Sequence, residues 1–229
     1  GESTAMTNEN HGLSRRALLA GAGGLLTTGS CATPRRSRES STPARFELEQ
    51  FVTDIKAARA RGDGQGAVED VLARAVSQPQ SVVRALGEPK RAGIRPLYRD
   101  DGLSVFNIVW APRMMLAPHN HLMWATIGIY TGREDNIVWR RSGDVVEAAT
   151  ASSLSEKEVF SLPTDAIHSV TNPISRFTGA IHVYGGDLAA AQLSRWDPET
   201  LREEPFSLEE GRSLFEEANR RLESEGRQS

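Results

Sequence analysis

Of the five histidines in the 229 residues, two, His119 and His121, stand two positions apart in the stretch APHNHLMWATIGIYTG, Ala117 to Gly132. On a β-strand, residues i and i+2 point to the same face, so both imidazoles can aim at one point. That is metal-ligand geometry. The alternative for a two-residue pattern is a pair of surface or turn histidines. A second segment, LPTDAIHSVTN from Leu162 to Asn172, places a turn at Pro163 and Asp165, then His168 on the next strand with Asn172 four residues on. The single cysteine, Cys31, excludes an internal disulfide framework and any cysteine-based zinc site. Metal chemistry in this chain therefore falls to histidine and carboxylate.

The elements that must position these residues are legible from pattern. In FELEQFVTDIKAARARG, Phe51, Ile55 and Ala58 share one helical face, with Gly62 as a stop signal. The pattern predicts a second helix from Ala67 to Ser77 and a short third from Gln80 to Leu86. From Ile94 to about Tyr184 the texture changes to short runs rich in Val, Ile, Thr and aromatics, punctuated by Gly, Asp, Asn and Pro: SVFNIVWAP, MWATIGIYTG, DNIVWRR, EVFSLP and FTGAIHVYGG. Many short strands separated by turn signals predict a sandwich or barrel. SLEEGRSLFEEANRRLES predicts a closing helix, with Ser207 as N-cap and Glu210 completing a capping box.

The length and the 38% hydrophobic content suit one well-packed domain with extra helices or tails. A net charge of −3 with interspersed signs leaves no basic face for nucleic acid and favours a small-molecule partner. Residues 1–43 are read as an expression scar (GESTA), a signal and a flexible tether, residues 44–92 as an N-terminal helical segment, and residues 93–229 as a barrel with its C-terminal helix. In LSRRALLAGAGGLLTTGSCAT, paired arginines precede a moderately apolar stretch and small residues at a cleavage position, which resembles a twin-arginine signal peptide. The expectation is export to a periplasmic or extracellular location. Membrane contact arises only if Cys31 is lipidated, making an anchored lipoprotein, instead of cleavage after Ala32.

The two histidine segments together resemble the paired motifs of the cupin superfamily, the first supplying HxH and the second P-x-G-x-x-H-x-x-x-N, with Asp165 at the usual Gly. The resemblance implies a mainly β fold, a double-stranded β-helix (jelly-roll) barrel, with His119, His121 and His168 holding one metal. The usual glutamate of the first motif is replaced by Ala125 and Thr126, leaving a neutral three-histidine set. That loss is similar to the thiol dioxygenases, the cysteine and 3-mercaptopropionate dioxygenase group. HNHLMWATIGIYTG keeps their H-x-H-x-x-W spacing and following Gly, and HSVTNPISRFTGAIHVYGGD is similar to their H-x-V-x-N…H-x-Y segment. The matched region runs from about Tyr98 to Gly186.

What the resemblance implies is a mononuclear non-haem Fe(II) enzyme oxidising a small thiol to a sulfinate with O2, with His182 and Tyr184 as the catalytic pair. Arg99 is the expected clamp for a substrate carboxylate, with Arg95 as a second candidate, and Trp124 is close enough to the ligand strand to line the pocket. Thr126 takes the position expected to face Tyr184, where some members carry a cysteine crosslinked to the tyrosine. Two other readings stay open: a non-redox cupin, isomerase or hydrolase, using Zn, Mn or Ni as Lewis acid, and a metal-containing binding module. The export reading gives the first prediction. Replacing Arg15 and Arg16 with Lys in a reporter fusion leaves the reporter in the cytoplasm, read by cell fractionation.

Overall fold

The computed structural model describes residues 45–61 and 64–226. The scar, signal, tether and Gly62 lie outside the described residues. Helices α1 (Leu48–Arg59), α2 (Gln65–Val76) and α3 (Pro79–Leu86) come first. They are followed by β1 (Gly93–Asp100), β2 (Leu103–Trp110), β3 (Met115–Asn120), β4 (Ala125–Thr131), β5 (Arg133–Ser142), β6 (Val145–Ser155), β7 (Val159–Leu162), β8 (Ile167–Thr171), β9 (Thr178–Tyr184), β10 (Leu193–Trp196) and β11 (Glu203–Phe206), and the chain closes with α4 (Leu208–Glu225). The three N-terminal helices fall where the apolar periodicity predicts them, and Phe51, Ile55 and Ala58 are the buried face of α1.

The strands form two antiparallel sheets, one in the order β1-β2-β9-β4-β7 and the other β11-β10-β3-β8-β5-β6. Consecutive strands cross repeatedly from one sheet to the other, which is the winding of a double-stranded β-helix. The central strands β2, β9 and β4 of the five-stranded sheet are buried on both faces, and they therefore read as largely apolar runs instead of alternating ones. On β9, Ala180 and Tyr184 belong to the barrel interior, while Ile181 and Val183 pack into a second core made with α1, α2 and α3. Gln65 of α2 ties that layer to the barrel by donating to the carbonyls of Ala125 and Leu162, at 3.1 and 2.9 Å.

Helix α4 caps one end. Ser207 accepts from the backbone N–H of Glu210 at 3.2 Å, the N-cap the sequence predicts, and donates from its hydroxyl to the Glu210 carboxylate at 2.9 Å, so Glu210 reaches back to the cap's side chain instead of to its backbone N–H. Asn219 locks the helix to the start of β1, accepting from Ala92 N–H at 2.8 Å and donating to Ala92 C=O at 3.0 Å. Phe215 then lies against Trp110 with ring centroids 4.9 Å apart.

The register corrects one expectation. Ala125, not Thr126, is the partner of Tyr184; Thr126 pairs with Val183 and its hydroxyl lies 3.1 Å from that of Ser161. Successive strand residues face opposite ways, so Thr126 points into the helical layer, away from the barrel interior. The polar hairpin β5–β6 turns on a two-residue loop, Gly143-Asp144, with Gly143 at φ 61°.

The crossing from β4 to β5 depends on Gly132, which sits at φ 86°, where a Cβ would run into the backbone and side chain of Thr178. The Thr178 hydroxyl accepts from the N–H of Arg133 and donates to its C=O, both at 2.9 Å, so the turn delivers β5 in a fixed register. Gly132→Ala adds a side chain in both a strained conformation and an occupied space. Its expected cost is about 1–3 kcal/mol, measured as a lower urea midpoint at unchanged slope.

Candidate metal centre

His119 ends up on β3 directly opposite His168 on β8, and His121 lies just past the end of β3. The pair register slips between Leu116 and His119, at Ala117-Pro118. Pro118 has no N–H to give to a ladder, so a bulge is where it fits. The bulge leaves the Ala117 carbonyl 3.0 Å from His119 Nδ1. A carbonyl only accepts, so Nδ1 carries the proton and Nε2 keeps its lone pair.

His168 is oriented from behind in the same way. Its Nδ1 is 2.8 Å from Asn136 Oδ1, and Asn136 Nδ2 donates to Glu134 Oε1 at 3.0 Å. His168 Nε2 then points inward, 3.3 Å from His121 Nε2. One ring nitrogen from each of His119, His121 and His168 falls within 4.8 Å of the others, and all three residues are buried. The ring centroids are 4.6 to 5.0 Å apart.

These side chains fit a divalent cation by the chemistry of the donor set. Burial pushes the pKa of His119 down to about 4, and burial with the neighbouring histidines holds His121 and His168 well below the usual imidazole range. Each ring is therefore neutral, the form that donates a lone pair to a metal. Converging lone pairs in a dry interior are unfavourable without a cation among them.

Across from the triangle, on the five-stranded sheet, stand His182 and Tyr184 of β9. They point the same way, as alternate residues do, with the Tyr184 hydroxyl 3.1 Å from His182 Nδ1. The Tyr184 ring lies edge-on to His121 with centroids 4.9 Å apart. Burial first, then the charge of Glu134, raises the Tyr184 pKa above its ordinary value, so the phenol keeps its proton.

A cavity reaches the three histidines, His182 and Tyr184. Its remaining walls are apolar, among them Ile94, Ile108, Leu116, Val170, Phe206 and Phe215, together with the ring of Trp110; among the described residues, no Lys, Arg, Asp or Glu lines it. Arg99 is not among the lining residues: it lies on β1 as a half-exposed side chain, gripping Asp187 through Nε at 2.6 Å and Nη2 at 2.7 Å. Arg95 donates to the Leu86 carbonyl at 3.0 Å, beside α3. Trp124 also falls outside the cavity. Its ring packs over Gly185, where a Cβ would collide with the indole, and joins the core shared with the helices. Asn172 is structural, its amide donating to Ala111 C=O at 2.9 Å and Arg176 C=O at 2.8 Å.

Sequence reasoning missed Glu134 and Asn136. Both are fully buried on β5; Asn136 falls in the predicted strand run DNIVWRR, and Glu134 just before it. The signal was there: Gly132 makes the turn, and Glu134 and Asn136 fall on the same side of the strand that follows. Trp110 belongs to the core and also forms a cavity wall, and its Nε1 is a buried donor with no partner among the described residues.

The fold and the site together define a cupin-type barrel, a double-stranded β-helix carrying a three-histidine group able to hold a metal. Among solved structures, the chain is similar to an RmlC-like cupin family protein from Methanocaldococcus jannaschii, with 13% identity over 43% of this chain and 84% of that one at a TM-score of 0.37. It is also similar to a double-stranded β-helix protein from Klebsiella pneumoniae (12% identity, 47% and 83% covered, TM-score 0.38) and to a DMSP lyase from Ruegeria pomeroyi (18%, 48% and 53%, 0.38). At these values the likenesses say nothing about the chemistry, and the fold class rests on the strand order. No family model and no curated protein matches the chain.

Removing any one of the three imidazoles should abolish stoichiometric metal, measured by elemental analysis of His119→Ala, His121→Ala and His168→Ala after loading. Asn136→Ala leaves all three ligands but frees the His168 ring, and metal affinity should fall by about 10- to 100-fold, measured by chelator competition.

Proposed function

We propose that the protein is a mononuclear non-haem iron dioxygenase that oxidises a small thiol to a sulfinate. The observation that supports this most is the pairing of a neutral three-histidine set with a buried, protonated tyrosine that faces it across the barrel. His119, His121 and His168 would hold the iron, which when bound supplies a Lewis acid for the thiol and the redox electrons through which O2 reacts. In the net reaction R–SH and O2 give R–SO2H. The O–O bond breaks, two S–O bonds form, and sulfur gives up the four electrons that dioxygen takes.

The chain's own residues have three tasks. The apolar walls exclude water from the reacting groups, which strengthens every polar contact inside. Tyr184 holds a proton at its hydroxyl, where it can be donated to developing negative charge on oxygen. His182 orients that hydroxyl through Nδ1. We also propose that the mature protein works outside the cytoplasm, on the strength of the twin-arginine-like leader.

The walls refine the substrate. With Arg99 held by Asp187 and no cation on the lining among the described residues, the reading favours an uncharged alkyl or aryl thiol over an amino-acid thiol. With iron loaded anaerobically, an oxygen electrode should record uptake with short apolar thiols and little with cysteine or 3-mercaptopropionate. Tyr184→Phe should keep iron and fold while turnover falls by about 10²- to 10⁴-fold. Equal turnover in the two proteins would remove Tyr184 from the chemistry. Turnover of a non-thiol substrate with zinc or manganese would favour the non-redox reading.

A further inference from the structure

Glu134 is a carboxylate with no exposed surface, on a strand that faces the barrel interior. Its Oε1 accepts from Asn136 Nδ2 at 3.0 Å, but its Oε2 has no hydrogen-bond partner. On the opposite sheet, His182 Nε2 is also buried without a partner, and the two orphaned atoms are 3.7 Å apart, facing each other. A buried carboxylate oxygen and a buried imidazole nitrogen left unsatisfied are each costly. They satisfy one another by a small approach if Nε2 carries a hydrogen. Buried polar atoms that the fold leaves open toward one another mark a built contact, since chance burial of both would be selected against on stability alone.

We propose that Glu134 is the positioning residue that sets the direction of the hydrogen bonds behind His168 on one sheet and behind Tyr184 on the other. The assignment rests on the reading of Tyr184 as the proton donor. Facing an amide hydrogen on one side and an orphaned ring nitrogen on the other, the carboxylate is assigned as the acceptor of both. On one side it therefore takes the amide hydrogen of Asn136, which turns the Asn136 carbonyl toward His168 and obliges His168 Nδ1 to carry its proton, leaving Nε2 for the metal. On the other side it takes the hydrogen of His182 Nε2, which leaves Nδ1 as an acceptor that holds the Tyr184 hydroxyl hydrogen until the hydroxyl turns to give it to oxygen. A single group, one His–Asn–Glu arm and one Tyr–His–Glu arm, thus links a metal ligand to the tyrosine that faces the metal.

Glu134→Gln tests this because it keeps shape and inverts direction. With its carbonyl accepting from Asn136, the new amide presents its NH2 group to His182 Nε2, which must then accept, and the ring proton moves to Nδ1. Long-range 15N–1H correlation spectra of the full chain, 15N-labelled at histidine and loaded with diamagnetic Zn(II), report the protonated nitrogen directly; His182→Asn assigns the signals. The expected result is a neutral Nε2–H ring for His182 in the wild type and an Nδ1–H ring in Glu134→Gln. An Nδ1-protonated His182 in the wild type, neutral or cationic, overturns the proposal, as does an unchanged Nε2–H ring in the variant. The wild-type spectrum decides the matter even if the variant fails to fold. With iron and an active thiol, Glu134→Gln should lower kcat by about 10- to 100-fold with KM unchanged. Correct ring tautomers in a protein that turns over no thiol would leave the role of Glu134 standing and remove the dioxygenase reading instead.

Discussion

Three imidazoles whose lone pairs converge in the buried interior form the constraint on which the rest of this structure depends. Each ring is buried where protonation is unfavourable, so none can relieve the crowding by taking up a proton. A neutral ring also presents its lone pair only if its other nitrogen is held by an acceptor. The surrounding fold supplies such acceptors: the bulge at Ala117-Pro118 for His119, and the Asn136 carbonyl for His168. The sheets, the turn at Gly132 and the register of β5 make sense as what brings those acceptors to their places.

The two sheets divide the work. The six-stranded sheet carries the three histidines and, on β5, the residues that fix His168 from behind. The five-stranded sheet carries His182 and Tyr184, and it is stiffened by a helical layer that buries its outer face. Rigidity on that side follows from packing: Gly128 leaves no room for a Cβ against Leu72 and Val76 of α2, so the helix lies directly on the strand. A positioned hydroxyl needs such a support, because a donor displaced by an ångström loses much of its effect.

Much of this was legible in the sequence because the informative signals are local. Apolar periodicity located α1 and α2, turn residues bounded the strands, and Ser207 with Glu210 marked the start of α4. The HxH spacing and the turn before His168 marked three ligands on neighbouring segments, and the register then places His119 opposite His168. The parts that were not legible are contacts between distant segments. Nothing near Arg99 in sequence announces Asp187, yet that ion pair holds the guanidinium at the surface. Trp124 follows the ligand strand closely but crosses to the other sheet, where its ring faces the helices. Glu134 falls between the runs MWATIGIYTG and DNIVWRR and is not singled out by them, because burial of a carboxylate depends on partners that only the fold assembles.

The central claim, that these histidines hold iron at which a thiol binds, is open to one direct observation. X-ray absorption at the iron edge of the loaded protein should show the multiple-scattering pattern of imidazole ligands, and addition of an apolar thiol should bring a sulfur scatterer into the first coordination shell. An iron spectrum without imidazole scattering, or one that the thiol leaves unchanged, would contradict it.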